Sequence, residues 1–405
     1  MQELIGVEEA RQIVLDTASL LPIEPVLLAE VLGRTLAEPV VSRDTIPPFA
    51  SSAMDGFAVR AVDLASTPAD LTIIETIPAG TMPAQRVETG MCARIMTGAP
   101  VPDGADAIAP VEWTTLLDDG RVQIARAPEP GQFIRPAGQD VAAGAAVFDA
   151  GTVVTPPVIG MLATLGFADV AVRRAPTVAV VSTGDEIVDV DVSPGPGQIR
   201  NSNGPALAAQ VVAAGGVVLG PFHAADNEAS IRAVLDQARA ADVLVFSGGV
   251  SMGEHDLVRR VLDAEGWAPA FWRVRQRPGK PLAFGTLDGK PVFGLPGNPV
   301  SSSVCFEQYV RPLLAAMLGR RTIMRPTVAA VLDEPIRKAA GLHHFVRGLA
   351  RVDDEGRLHV RPTGAQGSNL YSSMVHADGL IHLAEGLEDP AAGTEVAFEG
   401  LSWRA

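Results

Sequence analysis

Between residues 176 and 320 the chain alternates two textures. The segments TVAVV (177–181), VVLGPF (217–222), DVLVF (242–246) and PVFGL (291–295) are unbroken apolar runs. That is the pattern of strands covered on both faces. Between them, residues 204–214, 229–240, 255–265 and 300–317 place apolar positions at helical spacing. The alternation predicts a doubly wound α/β domain with its ligand site at the carboxyl ends of the strands.

The flanks read differently. Residues 7–21 predict an amphipathic helix, with Glu8 and Glu9 in its first turn where they favour the helix dipole. Pro47 and Pro48 break helix, and the small polar residues of 42–59 predict an ordered loop. Residues 71–135 hold short β-like runs between Gly/Pro turns, and 155–166 return to helix. After Pro326 the runs TVAAVL, HHFVRGLARV, RLHVRPT, GLIHLA and TEVAFEGL predict a small β domain, barrel-like in its closure. The expected fold is therefore multidomain α/β plus β. Its divisions are a discontinuous N-terminal domain (1–46 and 136–174), a β-rich insertion (47–135), the α/β domain (175–322) and a C-terminal β domain (323–405).

Composition narrows the function. A chain of 405 residues with 47% hydrophobic and 20% charged residues suits several packed globular domains. The net charge of −15 argues against nucleic-acid or anionic-membrane partners, though not against a small anion in a local positive field. Cys92 and Cys305 stand alone, which suggests neither zinc nor a disulfide framework. The start MQELIGVEEARQIV is not a signal peptide, and no segment has the roughly 18 apolar residues of a membrane span. A cytoplasmic protein is expected.

The chemistry gathers at four predicted strand ends. STGDEIV supplies Ser182, Thr183 and Gly184, and HAADN supplies Asp226. SGGVSMGEHD supplies Ser247, Gly248, Gly249, Ser251 and Gly253; PGNPVSSS supplies Pro296, Gly297, Asn298, Pro299 and Ser301. Glycines, hydroxyls and a following helix suit an anion held by free backbone N–H groups. Carboxylates at the same ends (Glu186, Asp226, Asp256) would repel a phosphate unless a cation such as Mg²⁺ lies between. Residues 266–287 carry no acid, and Arg273, Arg275 and Arg277 alternate so that one strand would point all three to one face. With Lys280 in its Gly-Lys-Pro turn, this island predicts an oxyanion site. Gly249–Gly253 also spells G-x-S-x-G, but Ser251 lies five residues beyond Phe246 and no HGGG loop occurs. A Ser251 hydrolase is the weaker reading.

Six blocks in order, PPFASSAMDGFAV, RIMTGAPVPDGADAIAPVE, STGDEIV, FSGGVSMGEHD, RPGKPLAFG and GLPGNPVSS, resemble the signature blocks of the molybdopterin molybdenumtransferases, the MoeA family that includes the E domain of gephyrin. The resemblance implies insertion of molybdate into adenylylated molybdopterin, with Mg²⁺-dependent cleavage of the pyrophosphate link and release of AMP. It implies Asp55, Thr97, Glu186, Asp226 and Asp256 as catalytic residues, with Glu186 and Asp256 toward the metal. Asp140, Arg277, Lys280, Arg347 and Ser368 join the strand-end loops in substrate binding. A homodimer is implied, with the β insertion set against the other subunit's site, and a molybdopterin adenylyltransferase is a candidate partner. Two departures stand out: Arg277 occupies a position often held by lysine, and FASS precedes Met54 where many relatives have an acid and an asparagine. A scaffold protein that keeps the fold is the alternative from another class.

Overall fold

The structure, a computed structural model, describes residues 2–249 and 257–401. The chain divides into two compact units. One comprises residues up to Ala37, Ala150–Thr155 and the chain from Asp169 onward; the other comprises Glu38–Asp149 and Pro156–Ala168.

In the first unit the apolar runs form the strands Thr177–Thr183, Val217–Ala224, Val243–Ser247 and Lys290–Leu295, all mutually parallel. The helices Asn203–Ala213, Glu228–Ala238 and Leu257–Ala264 connect them. One face of the sheet packs Val178, Val245 and Phe293 with Leu207 and Val211 of the first helix; the other packs Val181 and Phe246 with Ile231, Leu235 and Val261. Burial on both faces is what the unbroken apolar runs predict, and it holds for three of them. Val217–Ala224 departs from it, because it is the edge strand and lies largely exposed.

The sheet extends further than the sequence pattern foretells. Ala283–Leu287 and Ala268–Val274 continue it antiparallel, and Gln2–Ile5 closes that edge parallel to Ala268–Val274. The helix expected at 7–21 spans Val7–Leu15 only, where the Thr17 hydroxyl bonds the Val14 carbonyl at 2.7 Å. Its Val7, Ala10 and Val14 belong to the α/β core.

One expectation fails clearly. Arg273, Arg275 and Arg277 do not share a strand face. Arg273 adopts a φ of 66° and lies over the Trp272 ring, which breaks the alternation at the end of its strand. Arg275 instead bonds Glu385 at 2.9 Å and the Leu4 carbonyl at 2.8 Å. Arg277 belongs to a separate two-residue strand, Gln276–Arg277, paired to the C-terminal β sheet.

That sheet is the closed barrel expected after Pro326. Its strands are Thr327–Leu332, His343–Val352, Leu358–Pro362, Gly379–Leu383 and Glu395–Gly400, and the long second strand pairs with both the third and the fourth to complete the ring. Val346, Val360, Ile381 and Phe398 fill its interior.

The second unit is built on a six-stranded sheet. Gly56–Val59 is a central strand of it, so residues 42–59 are not wholly a loop. Its glycine is required by close approach: a Cβ on Gly56 would lie 2.1 Å from the Ala109 carbonyl oxygen. No helix of the described residues is long and apolar enough to cross a membrane.

Candidate functional site

Four parallel strands deliver their carboxyl ends to one edge, and their loops meet there. Thr177–Thr183 runs into Gly184 and Glu186, Val217–Ala224 into Asp226, and Val243–Ser247 into Gly248 and Gly249. Lys290–Leu295 runs into Gly297, Asn298 and Pro299. All of these residues, with Ser182, Thr183 and Ser247, line one cavity of about 920 Å³.

Its floor is neutral and hydrogen-bonded. Asn203 donates to the Ser247 hydroxyl at 2.8 Å and the Gly297 carbonyl at 2.7 Å, tying the third loop to the fourth. Asn201 accepts from the Ser182 hydroxyl at 3.1 Å and from the Gly204 N–H at 2.9 Å. Ser302, buried, bonds the Pro296 carbonyl and lies 3.2 Å from the Ser247 hydroxyl. The sequence reading missed Asn201, Asn203 and Ser302. The available signal was the polar run Arg200–Asn203 directly before a helix, which looks like ordinary capping.

The Thr183 hydroxyl is buried with no hydrogen-bond partner among the described residues, and a Cβ on Gly249 would come within 2.6 Å of it. The site thus keeps a free hydroxyl beside a backbone with no side chain. Glu186 and Asp226 are exposed at the same wall. No three His, Cys, Asp or Glu side chains among the described residues cluster to hold a metal by themselves. One or two carboxylates completed by phosphate oxygens are nevertheless a donor set that Mg²⁺ takes, and Glu186 supplies one at this wall. Ser251, Gly253 and Asp256 lie outside the described residues.

A second cavity of about 300 Å³ shares Asn298 with the first. Arg277, Lys280, Pro296, Ser301, Gln366 and Ser368 line it. Arg347 does not line it but is fully buried next to its barrel loop, bonding the Ser373 hydroxyl and the Gly367 carbonyl, each at 3.1 Å. Burial, with repulsion from Arg277, pushes the Arg347 guanidinium down to about 10, so it stays charged at neutral pH. Gln366 clasps the Arg347 backbone from both sides, accepting from its N–H at 2.9 Å and donating to its carbonyl at 3.1 Å. Ser368 is seated by its carbonyl, which accepts from Val300 N–H at 3.1 Å.

Asp55, Thr97 and Asp140 belong to the second unit. The pairing of Gly56 with Ile95 brings the two sequence blocks together, and Thr97 donates to Asp55 from both its backbone and its hydroxyl, each at 2.7 Å. These donors, the backbone one foremost, hold the Asp55 carboxyl below the usual range. Asp140 is exposed, and its backbone N–H bonds the Ile46 carbonyl at 3.1 Å.

Residues 5–166 match the family model of the MoeA N-terminal region (domain I and II), residues 179–316 that of a probable molybdopterin binding domain, and residues 329–401 that of the MoeA C-terminal region (domain IV). The chain is 37% identical to a molybdopterin molybdenumtransferase of Haemophilus influenzae, covering 92% of each chain. It is 38% identical to molybdopterin molybdenumtransferase 2 of Mycobacterium tuberculosis, covering 91% of this chain and 93% of that one. A crystal structure of the molybdopterin biosynthesis MoeA protein from Pyrococcus horikoshii OT3 superposes with a TM-score of 0.84 at 28% identity, over 98% of this chain and 100% of that one. Three family models in order and relatives matched over nine-tenths of their length agree, and the STGDEIV and GLPGNPVSS blocks meet at one sheet edge: the chain belongs to the MoeA family of molybdopterin molybdenumtransferases.

Proposed function

We propose that this protein inserts molybdate into adenylylated molybdopterin during molybdenum cofactor biosynthesis, with release of AMP. The observation that carries the reading is the pair of cavities joined at Asn298. The larger has the volume and the hydroxyl and amide lining for a nucleotide-linked diphosphate. The smaller offers Arg277 and Lys280 to a tetrahedral oxyanion, with the charge of Arg347 behind.

In this reading the loops at Ser182–Gly184, Ser247–Gly249 and Pro296–Pro299, with Ser251, Gly253 and Ser301, hold the ligand. Glu186, Asp226 and Asp256 act on the phosphoanhydride. Water attacks phosphorus, the bridging P–O bond breaks, and the products are AMP and the pterin with its own phosphate. The two dithiolene thiols bind molybdenum in place of one molybdate oxygen, which leaves as water with their two protons. Mg²⁺, held by Glu186 and Asp256, would neutralise charge on the phosphate oxygens. Arg277, Lys280, Arg347 and Ser368 place the molybdate. Purified protein given adenylylated molybdopterin, Mg²⁺ and molybdate should release AMP in proportion to molybdate, measured chromatographically. AMP release indifferent to molybdate would sink the reading.

The four-domain division (1–46 with 136–174, 47–135, 175–322 and 323–405), a homodimer, a molybdopterin adenylyltransferase supplying the substrate and a cytoplasmic location belong to the same proposal. The cytoplasm agrees with two buried, unpaired cysteines. Asp55, Thr97 and Asp140 are assigned to the reaction on family resemblance, at a site that draws on both chains of the dimer. Mixed, re-associated Asp55→Asn and Asp256→Asn proteins should then regain about a quarter of the wild-type rate, since roughly half the dimers are mixed and each carries one intact site. No observation favours the scaffold or Ser251 hydrolase readings.

A further inference from the structure

The helix beginning at Pro299 is not uniform. Phe306–Val310 forms a π turn between the α-helical stretches Pro299–Cys305 and Arg311–Met317. Such a turn is rare and re-aims the side chains it carries. All five here are buried. The hydroxyl of Tyr309 donates to Gln276 Oε1, and burial raises that phenol well above its ordinary value, which keeps the proton on Tyr309.

Gln276, itself fully buried, uses the other end of its amide on the next turn of chain. Its Nε2 donates to the Pro278 carbonyl at 3.1 Å and the Gly279 carbonyl at 3.3 Å. The same turn leans on the π-turn helix. Gly279 has a φ of +90°, and a Cβ there would lie 2.4 Å from Cys305 Sγ and 2.6 Å from Gln276 Nε2. The inner side of Arg277–Lys280 is therefore clamped, while its outer side lines the smaller cavity. Arg277 and Lys280 are exposed there. The pairing of Gln276–Arg277 with His343–His344 and the Lys280 carbonyl, which accepts from Val274 N–H at 3.0 Å, tie the two ends of the turn. Gln276 and Tyr309 hold its middle, Pro278 and Gly279.

We infer that Gln276 and Tyr309 are positioning residues for the oxyanion. Tyr309 does not line the smaller cavity, and Gln276, which borders it, is fully buried with its amide spent on Tyr309 and the turn's carbonyls. Together they hold the Arg277–Lys280 turn so that its cations converge on one small anion. The inference rests on the assignment of the smaller cavity to molybdate. Tyr309→Phe removes one hydroxyl and leaves Gln276 Oε1 unpaired. Gln276→Glu replaces a two-hydrogen donor with an acceptor facing two carbonyl oxygens. A displacement near 1 Å in a placed group costs on the order of 100-fold.

The test compares half-saturating molybdate, read from AMP release, with the affinity for adenylylated molybdopterin, read by calorimetry, in wild type, Lys280→Ala, Tyr309→Phe and Gln276→Glu. Half-saturation should rise about tenfold in Tyr309→Phe and about 100-fold in Gln276→Glu, with pterin affinity within about twofold. If Lys280→Ala leaves half-saturation unchanged, the cavity is not the molybdate site and the inference falls with that assignment. If Lys280→Ala moves it while Tyr309→Phe does not, the assignment stands and positioning is refuted. Equal loss of molybdate and pterin binding in Tyr309→Phe marks a general structural role and also refutes it. Should Gln276→Glu fail to fold, Tyr309→Phe decides alone.

Discussion

The two cavities at one sheet edge solve opposite problems. In the larger, the charges are on exposed residues, Glu186, Arg200 and Asp226, and the buried parts are neutral: Ser182, Asn201, Ser247 and Ser302. In the smaller, the charges stand on a short turn whose underside is locked by buried Gln276, Tyr309 and Cys305. A long ligand with a phosphoanhydride can be held at many points by fixed dipoles, and a cation can arbitrate between its phosphates and the carboxylates. A four-oxygen anion has few handles, so its cations must be set in place before it arrives. The first cavity gains specificity from extent, the second from rigidity.

The sharpest way to break that comparison is to neutralise the loose acid. Glu186→Gln is expected to lower AMP release on the order of 100-fold or more, with pterin affinity retained. Asp256→Asn should act alike. A near-normal rate in both would remove the carboxylates from the chemistry and leave the larger cavity a binding site only. Charge reversal at Lys280 comes next. Losing a charge-assisted contact costs about 1.5–3 kcal/mol, or on the order of 10- to 100-fold in half-saturating molybdate. If pterin affinity collapses instead while half-saturation holds, the turn serves the pterin phosphates, and the division between the cavities is wrong.

How much of this was legible in the chain follows from what each residue must do. Three of the four parallel strands show because burial on both faces leaves them apolar, while Val217–Ala224 is apolar although it lies exposed at the sheet edge. The loops show because glycines and hydroxyls interrupt that apolarity. Gln2–Ile5 is hidden because a strand at the sheet edge needs no apolar run, and its partner, Ala268–Val274, is far away in sequence. The arginine alternation misled because the left-handed turn of Arg273 leaves no mark in composition. Gln276 read as a spacer between arginines, yet it is wholly buried and carries the turn. Asn203 stands just before the helical spacing of 204–214, where a polar residue draws no notice. Side chains whose partners are backbone atoms of distant loops leave no periodicity to find.

Asn203 offers a finer cut at the larger cavity. It bridges the third and fourth loops through Ser247 and Gly297, and it does not line the smaller cavity. Asn203→Ala removes two hydrogen bonds of about 0.5–1.5 kcal/mol each, partly recovered by water. Pterin affinity should fall about tenfold, with half-saturating molybdate little changed. Calorimetry against adenylylated molybdopterin measures the first and AMP release the second. A shift in molybdate half-saturation alone would show that the loops move as one and that extent and rigidity are not separate devices.

The smallest effect concerns a third kind of acid, exposed yet tethered. Asp55 takes two donors from Thr97, the backbone N–H contributing most to its lowered pKa and the hydroxyl next. Because the folded value lies below the unfolded one, this carboxylate adds stability above the ordinary carboxylate range, and the contribution is lost as pH falls through the depressed value. Thr97→Val deletes the hydroxyl and keeps the N–H. The Asp55 midpoint, followed by carboxyl NMR titration, should therefore rise while staying below the ordinary range. The melting temperature of the variant should trail wild type at neutral pH and converge with it in acid. An unmoved midpoint would mean that the backbone alone sets Asp55. The Thr97 hydroxyl would then be free for a role toward substrate, with Asp55 still tethered by the backbone N–H.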